Sequence, residues 1–289
     1  MRILPIIIAL VFCLCAGIYF YPDYATKFST MPRLNSNSSG ELPKNFRLTH
    51  LKASGSGQFT EPDLEKMKET IPHDKIAIID LREEPHAFLN GDAISWYTYN
   101  NWLNKGKTRE QIKIDEVRRL KKLSNQSFAV FYFKYGHYPH FYRVKEVVDA
   151  ETVALRNGLE YFHFPVSDHT HPDDHIVDDF VTFIKNLDRD VWLHFHCSAG
   201  RGRTTTFLAM YEIMLNGEKA PLEEIVERQE SIGGINLLHS GAHDMDDWKI
   251  PHAVYRTSFI KDFYQYTLEN PDFALSWSEW IEGQEKAES

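Results

Sequence analysis

Cysteine is scarce in this chain: three in 289 residues. Cys13 and Cys15 fall in the apolar stretch that opens the sequence, which leaves Cys197 alone in the remainder. No intramolecular disulfide can form there, so the fold must rest on its hydrophobic core. A cationic surplus is also lacking, with 32 Lys and Arg against 41 Asp and Glu and a net charge of −9. That balance excludes general nucleic-acid binding, which needs positive charge to neutralise phosphates. It leaves room for a small anionic ligand, because a pocket can be locally positive on an acidic protein. No internal repeat is present, which removes the repeat architectures.

Residues 1–20, "MRILPIIIALVFCLCAGIYF", combine a basic start with an apolar run of about 18 residues, a length that fits a signal-peptide core or an uncleaved anchor. No lipobox surrounds Cys13 or Cys15, and Ala16-Gly17 is the best of the poor cleavage candidates. Either outcome predicts export to a periplasmic or secreted location. Membrane contact is expected only if the segment is retained.

Residues 21–41 are expected to be a flexible lead-in, and the polar stretches "NSNSSG" and "SGSG" extend that reading to Ser56. "TEPDLEKMKETI" has a cap-like Thr60, an early proline and Leu64, Met67 and Ile71 on one face, which predicts a helix. "KIAIIDL" is a short β-branched run and predicts a buried strand. Between Phe88 and Phe162 the chain mixes aromatics and turns with a charged helix, "TREQIKIDEVRRLKKL", and the strands "FAVFYF" and "FYRVKEVV". "LEYFHFPV" predicts a further strand running towards Asp168. Pro172 then opens an amphipathic helix carrying Ile176, Phe180, Ile184 and Leu187. "VWLHFHC" is a strand and "RTTTFLAMYEIMLNG" a helix stopped at Gly217. Two more helices are expected near Leu222–Glu230 and Ala253–Leu268. Alternating strands and helices imply an α/β architecture with a mostly parallel central sheet flanked by helices.

The chemistry concentrates in "WLHFHCSAGRGRTTTF". A cysteine at the C-terminal end of a strand, followed by a glycine-containing turn and a helix, sits in the anion-binding crevice of an α/β sheet. The amides of Ser198, Ala199, Gly200, Arg201, Gly202 and Arg203 can form a nest at the positive end of the helix, suited to a tetrahedral oxyanion. The same nest favours a thiolate. The Arg203 guanidinium presents a fork that matches two phosphate oxygens. The Thr204 hydroxyl is expected to bond the sulfur, and the His196 ring to hydrogen-bond the loop backbone and keep the nest in shape. Read for packing alone, Cys197 would be a buried inert thiol.

This loop resembles the HC-x5-R-[ST] signature of the cysteine-dependent protein-tyrosine-phosphatase superfamily. The blocks "FRLTHLKASGSGQFT", "IIDLREEPHAFLNGDAISWY", "YFHFPVSDHTHP", "IVERQESIGGINLL" and "DDWKIPHAVYR" extend the resemblance to the tyrosine-phosphatase-like cysteine phytases of bacteria, over roughly residue 42 to the C-terminus. The resemblance implies a phosphatase domain over 42–289, with a small partial β-barrel inserted around 88–162. It implies stepwise hydrolysis of inositol polyphosphates, as polyanionic small-molecule substrates, with no metal and no cofactor. By position, Cys197 would be the nucleophile, Arg203 the phosphate clamp and Asp168 the general acid. Arg47, Lys134, His169, Lys249 and Tyr255 match positions that contact substrate. Residue by residue, Asp168 could instead cap the following helix, and the outer cations could be ordinary solvated charges. Three departures stand out: Asn101 where an aspartate is expected, Ser258 where a lysine is expected, and an acidic segment with His239 and His243 where the family is lysine-rich. Competing readings are a phosphotyrosine or phosphoinositide-lipid phosphatase, and a non-catalytic phosphate-binding module. A Cys/His metal site is disfavoured, because His194 and His196 share one strand face and Cys197 the other.

Overall fold

The computed structural model describes residues 30–36, 40–133, 139–239 and 246–288. The N-terminal apolar segment, Lys134 and His243 lie outside the described residues.

A five-stranded sheet forms the centre. Strands β2 (Arg47–Leu48), β3 (Ala53–Ser56), β4 (Ile76–Arg82), β10 (Glu160–Val166) and β11 (Trp192–His196) are ordered β10-β4-β11-β3-β2. All neighbours are parallel except the β2–β3 pair. Parallel strands covered on both faces need apolar residues in unbroken series, and β4 is buried at every position. The period-2 alternation sorts its side chains: Ala77, Ile79 and Leu81 enter one apolar cluster, Ile76 and Ile78 the other.

The larger cluster lies under the helices α4 (Asp174–Asn186), α5 (Gly202–Asn216), α6 (Leu222–Ser231), α7 (Ile250–Glu269) and α8 (Trp277–Glu288). Phe180, Phe207, Ile213 and Phe263 are wholly buried there. On the opposite face, α1 (Glu61–Thr70) and α3 (Ala150–Arg156) supply Leu64, Met67, Val153 and Ala154. The Asp63 carboxylate accepts the Thr60 amide at 2.9 Å, tying off the N-terminus of α1.

A second, six-stranded sheet has the order β8-β7-β1-β6-β5-β9. Its strands are β1 (Met31–Ser36), β5 (His86–Leu89), β6 (Asp92–Tyr97), β7 (Phe128–Phe133), β8 (Pro139–Arg143) and β9 (Val147–Val148), and helix α2 (Arg109–Ser124) lies between β6 and β7 in sequence. β5 and β6 form a hairpin through Asn90-Gly91, both at positive φ, the geometry in which the strand twist is matched.

Two expectations are corrected. The lead-in contains a strand: β1 pairs with both β6 and β7, so the second sheet recruits residues from well before 88 and its last strand ends at Val148. Likewise, "SGSG" is not a tether. Ser54, Gly55 and Ser56 are buried in β3 beside β11. A Cβ on Gly55 would lie 2.7 Å from Thr204 Cγ2 and 2.9 Å from Leu208 Cδ1, so the residue is small because α5 crosses directly over it.

Candidate active site

Along β11, Leu193 and Phe195 point into the larger core, and Cys197 follows on the same side, 3% exposed. His194 and His196 take the other face, against Phe59. The next residues turn sharply. Gly200 has φ +71°, and a Cβ there would come within 2.3 Å of the Gly57 nitrogen, so only glycine fits.

Three successive carbonyls of this turn are held from outside. Ser198 O accepts the Gln58 amide at 3.3 Å, Ala199 O the Asn45 side chain at 2.8 Å, and Gly200 O the Arg47 guanidinium at 2.7 Å. In a trans peptide the following N–H points the opposite way. The amides of Ala199, Gly200 and Arg201 are therefore turned away from the 45–58 segment. The Gly200 amide donates to Cys197 Sγ at 3.3 Å and the Thr204 hydroxyl donates to it at 3.2 Å. Burial pushes the Cys197 thiol up, but the Arg203 charge and hydrogen bonds from Thr204 outweigh it, and the net shift is downward.

Arg203, in the first turn of α5, is buried. Its NH1 and NH2 donate to the two Glu84 oxygens at 2.6 and 3.0 Å, NH1 also reaches the Val166 carbonyl at 3.0 Å, and NH2 lies 3.0 Å from Asp168 Oδ1. Its Nε has no hydrogen-bond partner among the described residues. Burial opposes the charge, but Asp168 and Glu84 more than compensate, so the guanidinium is held firmly protonated. Glu84 itself also accepts Arg82 Nε at 2.9 Å, and Arg82 reaches Gln58 at 2.7 Å. Arg203 is thus anchored through a buried ion network to the same segment that holds the loop carbonyls.

Asp168 follows the end of β10, beside Arg203 rather than capping α4, which starts at Asp174. One oxygen accepts Asn101 Nδ2 at 3.0 Å and the other its neighbour His169 N at 3.1 Å. His169 adopts φ +70°, an arrangement that costs a non-glycine residue of order 1–3 kcal/mol and therefore needs support. That support is Arg256, whose NH2 donates to the His169 carbonyl at 2.6 Å. Burial lowers the His169 ring pKa, opposed by Asp168.

The remaining expected residues are spread around this centre. Arg47 is buried behind the loop and also bonds Thr205 at 3.2 Å, so it braces the turn instead of presenting its charge at the mouth. Its pKa is lowered to about 10, by burial first. His196 does not hydrogen-bond the loop. Neither ring nitrogen has a hydrogen-bond partner among the described residues, and the nearest carboxylate, Asp80, lies 3.7 Å from Nε2. The reason is the strand alternation, which turns the ring away from the loop and into the opposite core. Burial lowers its pKa to about 4, so it is neutral at ordinary pH. Lys249 pairs with Asp246 at 2.6 Å. Tyr255 is exposed on α7, one residue before buried Arg256. Ser198 and Arg201 line a groove of about 500 Å³ with Lys44, Asn45, Gln58 and Phe133. Among the described residues no cluster of three or more His, Cys, Asp or Glu side chains is arranged to hold a metal ion.

Sequence reasoning missed Glu84, Arg256, Asn45 and Gln58. Glu84 sits in the turn between β4 and β5 beside other charges, and Arg256 on a helix that also carries Lys261, Asp262 and Glu269, so neither stood out from its neighbours. The other two act through tertiary contact and carried no signal.

The family model for PTP-like phytases, whose description reads inositol hexakisphosphate, matches residues 79–215. A PTP-like myo-inositol phosphatase from Mitsuokella multacida, solved with myo-inositol-(1,3,4,5)-tetrakisphosphate, superposes with TM-score 0.82 at 29% identity, over 89% of this chain and 48% of that one. A PTP-like phytase from Bdellovibrio bacteriovorus gives 0.77 at 27%, over 89% of this chain and 96% of that one. The effector protein hopD2 of Pseudomonas syringae pv. tomato is 26% identical over 260 residues, 85% of this chain and 55% of its own length. The chain thus spans about half the length of the Mitsuokella and Pseudomonas relatives.

Proposed function

Because this chain belongs to the PTP-like phytase family, we propose that it is a cysteine-dependent phosphatase that removes phosphates one at a time from inositol polyphosphates. The observation that carries the reading is the convergence of Cys197 Sγ, an inward set of loop amides, the Arg203 guanidinium and the Asp168 carboxyl around one point.

The nest and Arg203 bind the phosphate dianion, and its negative charge takes over part of the role Asp168 plays beside Arg203. The Cys197 thiolate attacks phosphorus as the bond to the inositol oxygen breaks, and the protonated Asp168 carboxyl gives its proton to that oxygen. The resulting Asp168 carboxylate then takes a proton from water as the water oxygen attacks the phosphocysteine. The P–S bond breaks, inorganic phosphate leaves and the thiolate is restored. His196, neutral and turned away, takes no part in proton transfer.

The substrate class follows from the family. The Mitsuokella relative's inositol tetrakisphosphate fits the same class. The test is phosphate release from inositol hexakisphosphate across pH 4 to 7, beside Cys197→Ser and Asp168→Asn. Release by the parent alone supports the proposal. Hydrolysis of p-nitrophenyl phosphate without any release from inositol phosphates would keep the phosphatase and discard the substrate. Faster turnover of a phosphotyrosyl peptide or a phosphoinositide would move the enzyme to those classes.

A further inference from the structure

Asp168 is gripped by a segment that the reaction as proposed does not use. Asn100 and Asn101 both adopt positive φ, 56° and 64°, a pairing that asparagine tolerates better than most side chains. The bend turns two consecutive donors onto the acid. Asn101 Nδ2 reaches Asp168 Oδ2 at 3.0 Å, and the Trp102 indole Nε1 reaches the Asp168 carbonyl at 2.7 Å.

The segment is itself rooted. The wholly buried Asn104 donates to the Glu83 carbonyl at 3.1 Å, next to the Glu84 that holds Arg203. The Trp102 ring is fixed from its other sides. It meets Trp248 edge-on at 5.7 Å and His252 at 5.2 Å, and Lys105 lies 3.8 Å over its face. Trp248 in turn packs against His169 at 5.0 Å, and Arg256 holds the His169 carbonyl. The acid-bearing turn is therefore clasped between two rigid partners, with its strained His169 in the middle.

We infer that Asn101 and Trp102 are positioning residues for the general acid: they hold Asp168 where its carboxyl meets the departing oxygen. This rests on the reading of Asp168 as the acid and goes beyond it, since neither residue touches the reacting phosphate. Asn101 contributes an uncharged donor, which orients one carboxyl oxygen without placing a second titrating carboxyl beside it. Trp102 acts on the backbone, which sets where the whole side chain starts.

The experiment compares kcat/KM for phenyl phosphate and p-nitrophenyl phosphate in the parent, Trp102→Phe, Asn101→Ala and Asp168→Asn. Phenolate departs poorly without a proton, whereas p-nitrophenolate needs little help. Trp102→Phe keeps an aromatic ring of smaller size and removes the N–H donor, and Asn101→Ala removes the other donor without touching that packing. A lost hydrogen bond of ordinary worth predicts a loss of roughly threefold to tenfold on phenyl phosphate. Hydrolysis of p-nitrophenyl phosphate and inhibition by vanadate should stay at parental values, because the nest is untouched. Asn101→Ala should show the same split and guards against a Trp102 variant that fails to fold. Equal losses on both substrates, or no loss, would overturn the inference while Asp168→Asn still shows the split. If Asp168→Asn shows no split, the acid assignment falls and this inference with it. None of these arms depends on inositol phosphates being substrates.

Discussion

Replacing Glu84 by glutamine would keep the shape of a wholly buried side chain and remove its charge. In the native site that carboxylate accepts both terminal nitrogens of Arg203, at 2.6 and 3.0 Å, and Arg82 Nε at 2.9 Å. The side chains of both arginines are only 1% exposed, so neither can turn to water for compensation. Breaking a buried ion pair by neutralising one partner costs about 3–5 kcal/mol. For a domain of this size, that corresponds to a fall in melting temperature of roughly 6–20 °C. Activity should fall further than folding accounts for, because the Arg203 guanidinium, the proposed phosphate ligand, would lose its fixed orientation. The informative measurement is the melt of Glu84→Gln with and without millimolar inorganic phosphate. A phosphate dianion beside Arg203 would replace part of the missing charge, so the ligand should raise the variant's melting temperature by more than the parent's. A variant that melts within about 1 °C of the parent, or gains no more from phosphate than the parent does, would refute the account of Glu84 as the anchor of the clamp.

Burial raises the Glu83 carboxyl from an ordinary 4.5 to about 7. Its folded pKa lies above the unfolded one, so its stabilisation is complete below about pH 4.5 and is lost as pH rises through 7, an amount of about 3 kcal/mol. Denaturant titrations at pH 5 and 8 should show that difference shrink in Glu83→Gln, and an unchanged difference would contradict it. Gly200→Ala places a Cβ 2.3 Å from backbone in a left-handed conformation, so vanadate binding and turnover should be lost together. A variant that binds vanadate normally would show that the turn is not under this constraint. Arg47→Lys can satisfy only part of the contacts to Asn45 O, Gly200 O and Thr205, and kcat/KM should drop severalfold with little change in far-UV circular dichroism. Parental kinetics in that variant would remove Arg47 from the loop's support.

The sequence by itself determined the elements whose signal is local. The apolar series of β4 and β11, the amphipathic α4 and the strand–cysteine–glycine–arginine turn each declare themselves within a few residues, because hydrophobic period and backbone freedom are short-range properties. The mostly parallel sheet and the candidate nucleophile and clamp were legible for the same reason. Tertiary structure decided what holds those parts in place. Ser54-Gly55-Ser56 reads as a linker, since its strand character comes from lying between β11 and the crossing of α5. β1 is a strand because β6 and β7 offer it edges from sixty to a hundred residues away. The three loop carbonyls, the Glu84 anchor, the Arg256 prop and the Asn101–Trp102 grip on Asp168 join segments distant in sequence. A buried charge or a spare carbonyl has no preferred partner until the fold brings one within 3 Å. The direction of His196 shows the converse: its place beside Cys197 in sequence suggests service to the loop, but a strand turns neighbours to opposite faces, and the fold assigns it to the other core.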